Sequence, residues 1–262
     1  MRNPDRTGKT APVRAINMYA AGIRDRMRRI RREKGWVFLA RKMAVFALRH
    51  IYARTFLRFR KSCTFIFRGA EYRYYFHPYN FTWDNERAIE IPIVLKTVES
   101  FRGLRILEAG NVLSHYVPVT WDVIDKYECA PGVINLDLAD FRPGRRYDLI
   151  VSISTLEHVG YDDNERDSEK IPTALENLRD NCLKPDGAML FTMPLGYNPF
   201  LDELLFSGRI GFDDVHYFRR VARHEWVEVS RENLGDCSYG TTYIEAGAVA
   251  IAEYRCAGRS SG

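Results

Sequence analysis

Acidic and small polar residues stand at the ends of several short apolar segments in the middle of the chain. These segments predict buried strands at Leu104–Ala109, Trp121–Asp125, Val133–Asp137, Asp148–Ser152 and Ala188–Met193. In an open parallel sheet, ligands bind at the carboxyl ends of the strands. The polar residues that end or follow these strands are therefore the candidates for binding and chemistry.

Each strand end offers a different interaction. Glu108 can order the loop after the first strand and receive an ammonium group, while Gly110 lets the backbone approach a ligand closely. A carboxylate at Asp125 can accept both hydroxyl protons of a ribose. Asp137 places an acceptor for an adenine amino group beside the apolar side chain of Leu138. Together these residues predict a nucleoside-binding edge.

The order and spacing of the motifs resemble class I S-adenosylmethionine-dependent methyltransferases. The motifs are E-x-G from Glu108, the acid Asp125, D-x-x-x-F from Asp137, YDLIVSISTLEHV from Tyr147 and LKPDGAMLFTMP from Leu183. The resemblance implies S-adenosylmethionine as cofactor, held in a core of about residues 104–195. It places Glu108 and Gly110 at the methionine end of the cofactor and Asp125 at the ribose. It places Asp137 and Leu138 at the adenine, and Ser154 and Thr155 near the sulfonium.

The loop after the first strand departs from the family's glycine-rich pattern E/D-x-G-x-G-x-G. It reads EAGNVLS with one glycine, and the next strand begins too soon for the usual long helix. We expect Asn111, Ser114 and His115 to replace contacts that backbone amides normally make. GNVLSHY, with NERAIEIPI at 85–93 and PLGYNP at 194–199, resembles a narrower prokaryotic subgroup. That subgroup is similar to methyltransferases found beside glycan-assembly enzymes.

Methyl transfer to oxygen requires an aligned acceptor, exclusion of water and a base for the hydroxyl proton. The candidate bases are His158, His216, Glu157 and Tyr197. His216 would belong to a substrate loop. A local packing role is the alternative for His158, and a structural turn is the alternative for Tyr197. The amino-methylating signature [DNS]-P-P-[YFW] is absent. This favours a hydroxyl of a small molecule, sugar or lipid-linked acceptor over a nucleobase amine.

An acidic run follows His158 and includes Asp162, Asp163, Glu165 and Asp167. Some metal-dependent O-methyltransferases use carboxylates after this strand, but a solvated loop or helix start explains the run more simply. We therefore expect no metal site.

Alternation of strands and helices predicts an α/β fold, namely a Rossmann-like, doubly wound, mainly parallel seven-stranded sheet. Residues 62–262 form the predicted catalytic domain, which begins with a strand pair around Arg68-Gly69. A helix with Pro92 in its first turn and another near Ser168–Leu183 are expected. The remaining predicted strands are Trp226–Val229 and Ala248–Tyr254.

Residues 1–61 form a predicted basic extension, disordered at its start and helical after residue 12. They hold 18 Lys and Arg against three acidic residues, whereas the remainder holds 21 basic and 31 acidic residues. The cationic amphipathic segment 36–59 could pack on the catalytic domain, bind an anionic membrane or contact nucleic acid, the last being less favoured.

Five cysteines without a CxxC pair, and no signal-peptide pattern, predict a cytoplasmic protein, peripheral at the inner membrane face if the extension binds lipid. Besides the O-methyltransferase, two alternatives stay open. One is a non-catalytic cofactor-binding or assembly module of the same fold, and the other is an RNA-binding methyltransferase.

Overall fold

The computed structural model describes residues 31–32, 35–38, 40–41, 43–45, 47–48, 51–52, 63–163, 165–240 and 245–255. By internal contacts the chain divides into two units, Met1–Phe59 and Arg60–Gly262. In the first unit, the described residues are helical, and Trp36, Leu48 and Ile51 are exposed. The predictions for residues 1–30 lie outside the described residues. Among the residues described, no helix has the length and apolar character needed to span a membrane.

The second unit begins with a hairpin of β1 (Thr64–Phe67) and β2 (Ala70–Arg73), as predicted. Its two turn residues, Arg68 and Gly69, both have positive φ, which matches the twist of the paired strands. The predicted helix follows as α1 (Arg87–Ser100).

Pro92 lies inside α1, so the prediction that it occupies the first turn is wrong. Proline has no N–H to donate to the carbonyl of Ala88, four residues earlier. The backbone N–H of Tyr75 donates to that carbonyl instead, at 2.9 Å. The helix therefore starts five residues earlier than the proline suggests, because a tertiary hydrogen bond satisfies the group that proline leaves open.

The central sheet has eight strands in the order β5-β4-β3-β6-β7-β10-β8-β9. Their bounds are β3 Ile106–Ala109, β4 Asp122–Ile124, β5 Val133–Ile134, β6 Tyr147–Ile153, β7 Leu183–Pro194, β8 Asp214–Ala222, β9 Glu225–Val229 and β10 Ala248–Arg255. The first five in the spatial order are parallel, and β10, β8 and β9 are joined by antiparallel pairings.

Helices cover both faces of this sheet, which confirms the Rossmann-like, doubly wound α/β fold. On one face α1 and the hairpin pack against β6 and β10, and on the other lie α2 (Lys170–Asn177) and α3 (Pro199–Phe206). The sheet has one strand more than the predicted seven, namely β8, whose sequence lacks a clear alternating pattern.

Two details of the strands differ from the sequence prediction. β5 ends at Ile134, so Asp137 lies in the turn that follows and not at the strand end. β7 starts at Leu183, five residues before the predicted strand Ala188–Met193, because Tyr147 pairs with Leu183 while Leu149 pairs with Ala188. The residues between those two pairs bulge out of the ladder, and Pro185 and Gly187 lie there.

Candidate active site

A cavity of about 490 Å³ lies at the carboxyl ends of β3, β4 and β6. This is the edge at which ligands bind in open α/β sheets, and the volume suits a nucleoside-sized ligand. The structure brings eight of the predicted residues to its lining: Gly110, Asn111, Asp125, Asp137, Leu138, Ser154, Thr155 and His158.

Gly110 sits where the first strand meets the cavity, and the structure tolerates only glycine there. Its φ is +92°, and a Cβ at this position would lie 2.0 Å from the Oγ1 atom of Thr155. The ends of β3 and β6 therefore approach each other closely, as the sequence motif requires.

Glu108 and Ser114 support the loop and do not line the cavity. The Glu108 side chain is fully buried, and it accepts hydrogen bonds from the backbone N–H groups of Val112 and Leu113 and from the indole of Trp121. Ser114 donates to the side-chain oxygen of Asn111. Glu108 thus orders the loop, as predicted, but its oxygens are already bonded within the protein.

Asp125 lines the cavity, yet its carboxylate is largely engaged by backbone groups. Oδ1 accepts from the N–H groups of Tyr127 at 2.8 Å and Glu128 at 2.7 Å, and Oδ2 accepts from the N–H of Asn111 at 3.1 Å. An ionised carboxylate has about four acceptor sites. Only about one remains at Asp125, whereas two ribose hydroxyls would need two.

A cluster of alternating charges closes one side of the cavity. Lys126 lies 3.1 Å from Asp137 and 2.7 Å from Asp163, and Lys170 lies 2.7 Å from Asp137 and 2.5 Å from Asp163. Burial alone would raise the pKa of Asp163, but the hydrogen bonds from both lysines outweigh it and hold that pKa well below its ordinary value. The same lysines hold the pKa of Asp137 below its usual range despite burial.

His158 presents its ring at the rim of the cavity, with a carboxylate behind it. Its Nδ1 atom lies 2.6 Å from Oδ2 of Asp162, while Nε2 is 3.7 Å from Glu157, beyond hydrogen-bonding distance. A carboxylate that accepts from Nδ1–H leaves Nε2 as the basic nitrogen.

Tyr197 lies beside this pair but is not a lining residue. Its hydroxyl donates to Asp162 at 2.8 Å, and its ring centre is 4.9 Å from that of His158. Burial and the bond to Asp162 raise the pKa of Tyr197 to about 12. The phenol is therefore protonated at neutral pH and acts here as a hydrogen-bond donor.

A buried ionic cluster lies behind Ser154. The carboxylate of Glu90 accepts 2.7 Å hydrogen bonds from Ser154 and Thr192 and pairs with Arg87. Ser154 has a φ of +39°, which is rare outside glycine. These bonds hold the strained backbone where β6 runs into the cavity.

Two further buried glutamates border this cluster. Glu86 and Glu157 are 6% and 1% exposed, and one carboxylate oxygen of each has no hydrogen-bond partner. Burial and then the charge of Glu90 raise the pKa of Glu86 to about 7, and burial raises the pKa of Glu157.

The structure does not bring His216 to the cavity. It pairs with Ile251 in the β8–β10 ladder, beside a network in which Arg68 contacts Asp214 and Glu253. Strand pairing runs from His216 through Ile251 and Thr192 to Ile153, so His216 lies three strands across the sheet from β6. There its ring contacts Phe67 of the hairpin. Its Nδ1 lies 2.6 Å from Glu228, which gives it a structural role in the charged network.

No family model and no curated protein match this chain. Among solved structures, it is similar to the N-methyltransferase NodS from Bradyrhizobium japonicum WM9, in complex with S-adenosylhomocysteine, at 14% identity and a TM-score of 0.43, covering 66% of this chain and 88% of that chain. For TehB from Haemophilus influenzae the identity is 14%, the TM-score 0.39 and the coverage 64% and 62%. For 1,6-didemethyltoxoflavin-N1-methyltransferase from Burkholderia thailandensis the values are 12%, 0.37, 69% and 83%. The fold is therefore assigned from the order and directions of the strands in this chain itself.

Most of the charged residues that line the cavity were not among the predicted site residues. Lys126, Tyr127 and Glu128 directly follow Asp125, and a polar run after a buried strand was the available signal. The acidic run after His158 was interpreted as solvated, but Asp162 and Asp163 are bonded to His158 and to the two lysines. Only the folded chain reveals these partners, because Lys170 comes from a separate helix. Among the described residues, no group of three or more His, Cys, Asp or Glu side chains is placed to hold a metal ion.

Proposed function

We propose that this protein is an S-adenosylmethionine-dependent methyltransferase that acts on a hydroxyl group. The observation that carries the proposal is the His158–Asp162 pair, 2.6 Å apart, at the rim of a nucleoside-sized cavity at the carboxyl edge of the sheet. A histidine backed by a carboxylate is suited to remove a proton from an acceptor oxygen.

The residues of the cavity fit the cofactor. Gly110 allows the close approach of a ligand to the backbone, and Leu138, 7% exposed, offers an apolar wall for a base. Asp137 keeps acceptor capacity on Oδ1, which accepts only the N–H of Ala139. When bound, S-adenosylmethionine supplies a methyl group activated by its sulfonium.

The chain's own residues then act on the acceptor. Nε2 of His158 would accept the proton of the acceptor hydroxyl, and Asp162 would stabilise the resulting imidazolium through Nδ1–H. Tyr197 donates to the same carboxylate and fixes its orientation. We propose a small molecule, sugar or lipid-linked alcohol as acceptor, since none of these steps requires an amine.

The test combines a binding and a transfer measurement. Calorimetry should detect S-adenosylhomocysteine binding, and transfer of labelled methyl groups should be screened over alcohols, sugars and lipid-linked sugars. With an acceptor in hand, H158Q should lower kcat by about 100-fold or more while the Kd of S-adenosylhomocysteine stays within about twofold. H216Q is the matched control and should keep its kcat, because His216 lies three strands across the sheet from β6 and outside the cavity.

Absence of S-adenosylhomocysteine binding at millimolar concentration would contradict the proposal. Binding without transfer to any acceptor would favour the non-catalytic module instead. Strong, salt-dependent RNA binding that is lost with residues 1–61 would favour the RNA-binding methyltransferase.

We also propose that residues 1–61 associate with an anionic membrane surface. Trp36, Leu48 and Ile51 are exposed apolar side chains within a strongly basic segment. Such segments bind anionic lipid through burial of their apolar side chains and through electrostatic attraction of their Lys and Arg residues. The full chain should float with anionic vesicles at low salt, and a chain beginning at Cys63 should not. Equal flotation of both chains would refute membrane attachment by this segment.

A further inference from the structure

Four carboxylates line the cavity, and their partners decide which of them can bind a pair of neighbouring hydroxyl groups. Asp137 and Asp163 are each paired with two lysines. Asp125 accepts three backbone hydrogen bonds. The fourth carboxylate is Glu128, which directly follows Lys126 and Tyr127 in the cavity wall.

Glu128 has the free acceptor capacity that Asp125 lacks. Its Oε1 accepts from the side-chain amide of Asn111 at 2.9 Å, and Nε2 of His115 lies 3.2 and 3.3 Å from its two oxygens. These two bonds use about half of the acceptor sites of a carboxylate. With its side chain 39% exposed, Glu128 can still accept one hydrogen bond on each oxygen, which is what two adjacent hydroxyls require.

The partners of Glu128 also account for the unusual loop after β3. Asn111 and His115 belong to the segment that stands where the family's glycine-rich loop would be, and His115 stacks on Tyr79 with ring centres 4.7 Å apart. Asp125 accepts the backbone N–H of both Asn111 and Glu128, so it fixes the two sides of this arrangement relative to each other.

We infer that Glu128, and not Asp125, accepts the two ribose hydroxyls of the nucleoside ligand. Asp125, Asn111 and His115 are positioning residues that hold the Glu128 carboxylate and the loop. The inference rests on the proposed function, because it assumes a ligand with a ribose. It assigns the sugar contact to a residue outside the strand-end motif.

The test is calorimetry on the full chain with two probes, S-adenosylhomocysteine and its 2′-deoxy analogue. The wild type should bind the deoxy analogue about 10- to 100-fold more weakly, the range for one charge-assisted hydrogen bond. E128Q should bind S-adenosylhomocysteine more weakly by a similar factor and should no longer distinguish the two probes. E176Q, an exposed glutamate on α2, is the matched control and should behave as wild type.

D125N distinguishes the role of Asp125 from that of Glu128. It should weaken the binding of both probes by the same factor, because it loosens the loop without removing the hydroxyl acceptor. Thermal melting reports whether the variant is folded. If E128Q still binds S-adenosylhomocysteine more tightly than its 2′-deoxy analogue and D125N no longer does, the inference is overturned and the proposed function is left intact. Failure of the wild type to bind S-adenosylhomocysteine overturns the proposed function and this inference together.

Discussion

Glu86 should destabilise the protein at neutral and alkaline pH, and E86Q should relieve this effect. The side chain is 6% exposed, and its Oε2 atom has no hydrogen-bond partner. Burial, followed by the nearby charge of Glu90, raises the pKa of Glu86 from an ordinary value of 4.5 to about 7. The folded chain therefore holds the proton more tightly than the unfolded chain does.

The sign and size of the effect follow from linkage. Stability falls as the pH rises from about 4.5, where the unfolded carboxyl ionises, to about 7, where the folded one does, and the loss is complete above that range. A difference of this size corresponds to about 3 kcal/mol of unfolding free energy. Glutamine mimics the neutral acid, so E86Q should be more stable than wild type by up to about 3 kcal/mol at pH 8.5. That gain corresponds to about 6–12 °C in Tm for a domain of this size.

Thermal melting between pH 5 and pH 8.5 measures this difference. The gain in Tm from E86Q should be near zero at pH 5 and should grow through pH 7. E99Q is the matched control, because Glu99 lies on the exposed side of α1 with 62% of its side chain accessible, and its effect should be small at every pH. A gain that does not change with pH, or a lower Tm for E86Q at pH 8.5, would refute the reasoning.

Two further predictions concern the walls of the cavity. G110A should destabilise the protein by about 2–4 kcal/mol and abolish binding of S-adenosylhomocysteine, because its φ is +92° and the new Cβ would meet Thr155 at 2.0 Å. In G144A the new Cβ meets nothing within 4 Å, so thermal melting and calorimetry should show little change. If G110A were tolerated as well as G144A, the close approach of Gly110 to Thr155 would be contradicted. D163N removes a carboxylate bonded to two lysines and should cost about 1–2 kcal/mol at pH 7. Because the folded pKa of Asp163 is lowered, this stability is present above about pH 4 and is lost as the pH falls through the folded value, so urea unfolding of the variant and wild type should converge in acid.

The fold and the position of the cavity could be predicted because they depend on local patterns. Short apolar segments ending in Gly110 and Asp125 encode buried parallel strands, and ligands bind at the carboxyl ends of such strands whatever the side chains are. The short spacing between Gly110 and the next strand likewise predicted that no long helix would fit there, and the structure has a short helical turn at Leu113–His115.

The roles of individual side chains depended on partners that are distant in the sequence. Asp125 was assigned to the ribose by its place after β4, but three backbone N–H groups occupy most of its carboxylate. Pro92 appeared to mark a helix start, but Tyr75 supplies the missing donor. His216 looked equivalent to His158 in the sequence, but strand pairing places it three strands away from β6, against the hairpin.

The sequence by itself determined which residues could do chemistry and at which edge of the sheet they would gather. Only the tertiary structure decided which of them have acceptor sites to spare. Glu128 and Asp125 are both carboxylates three residues apart, and they differ because backbone N–H groups surround one while the other faces the cavity with two partners. Acceptor capacity is set by hydrogen bonds already made, and no local sequence pattern records those bonds.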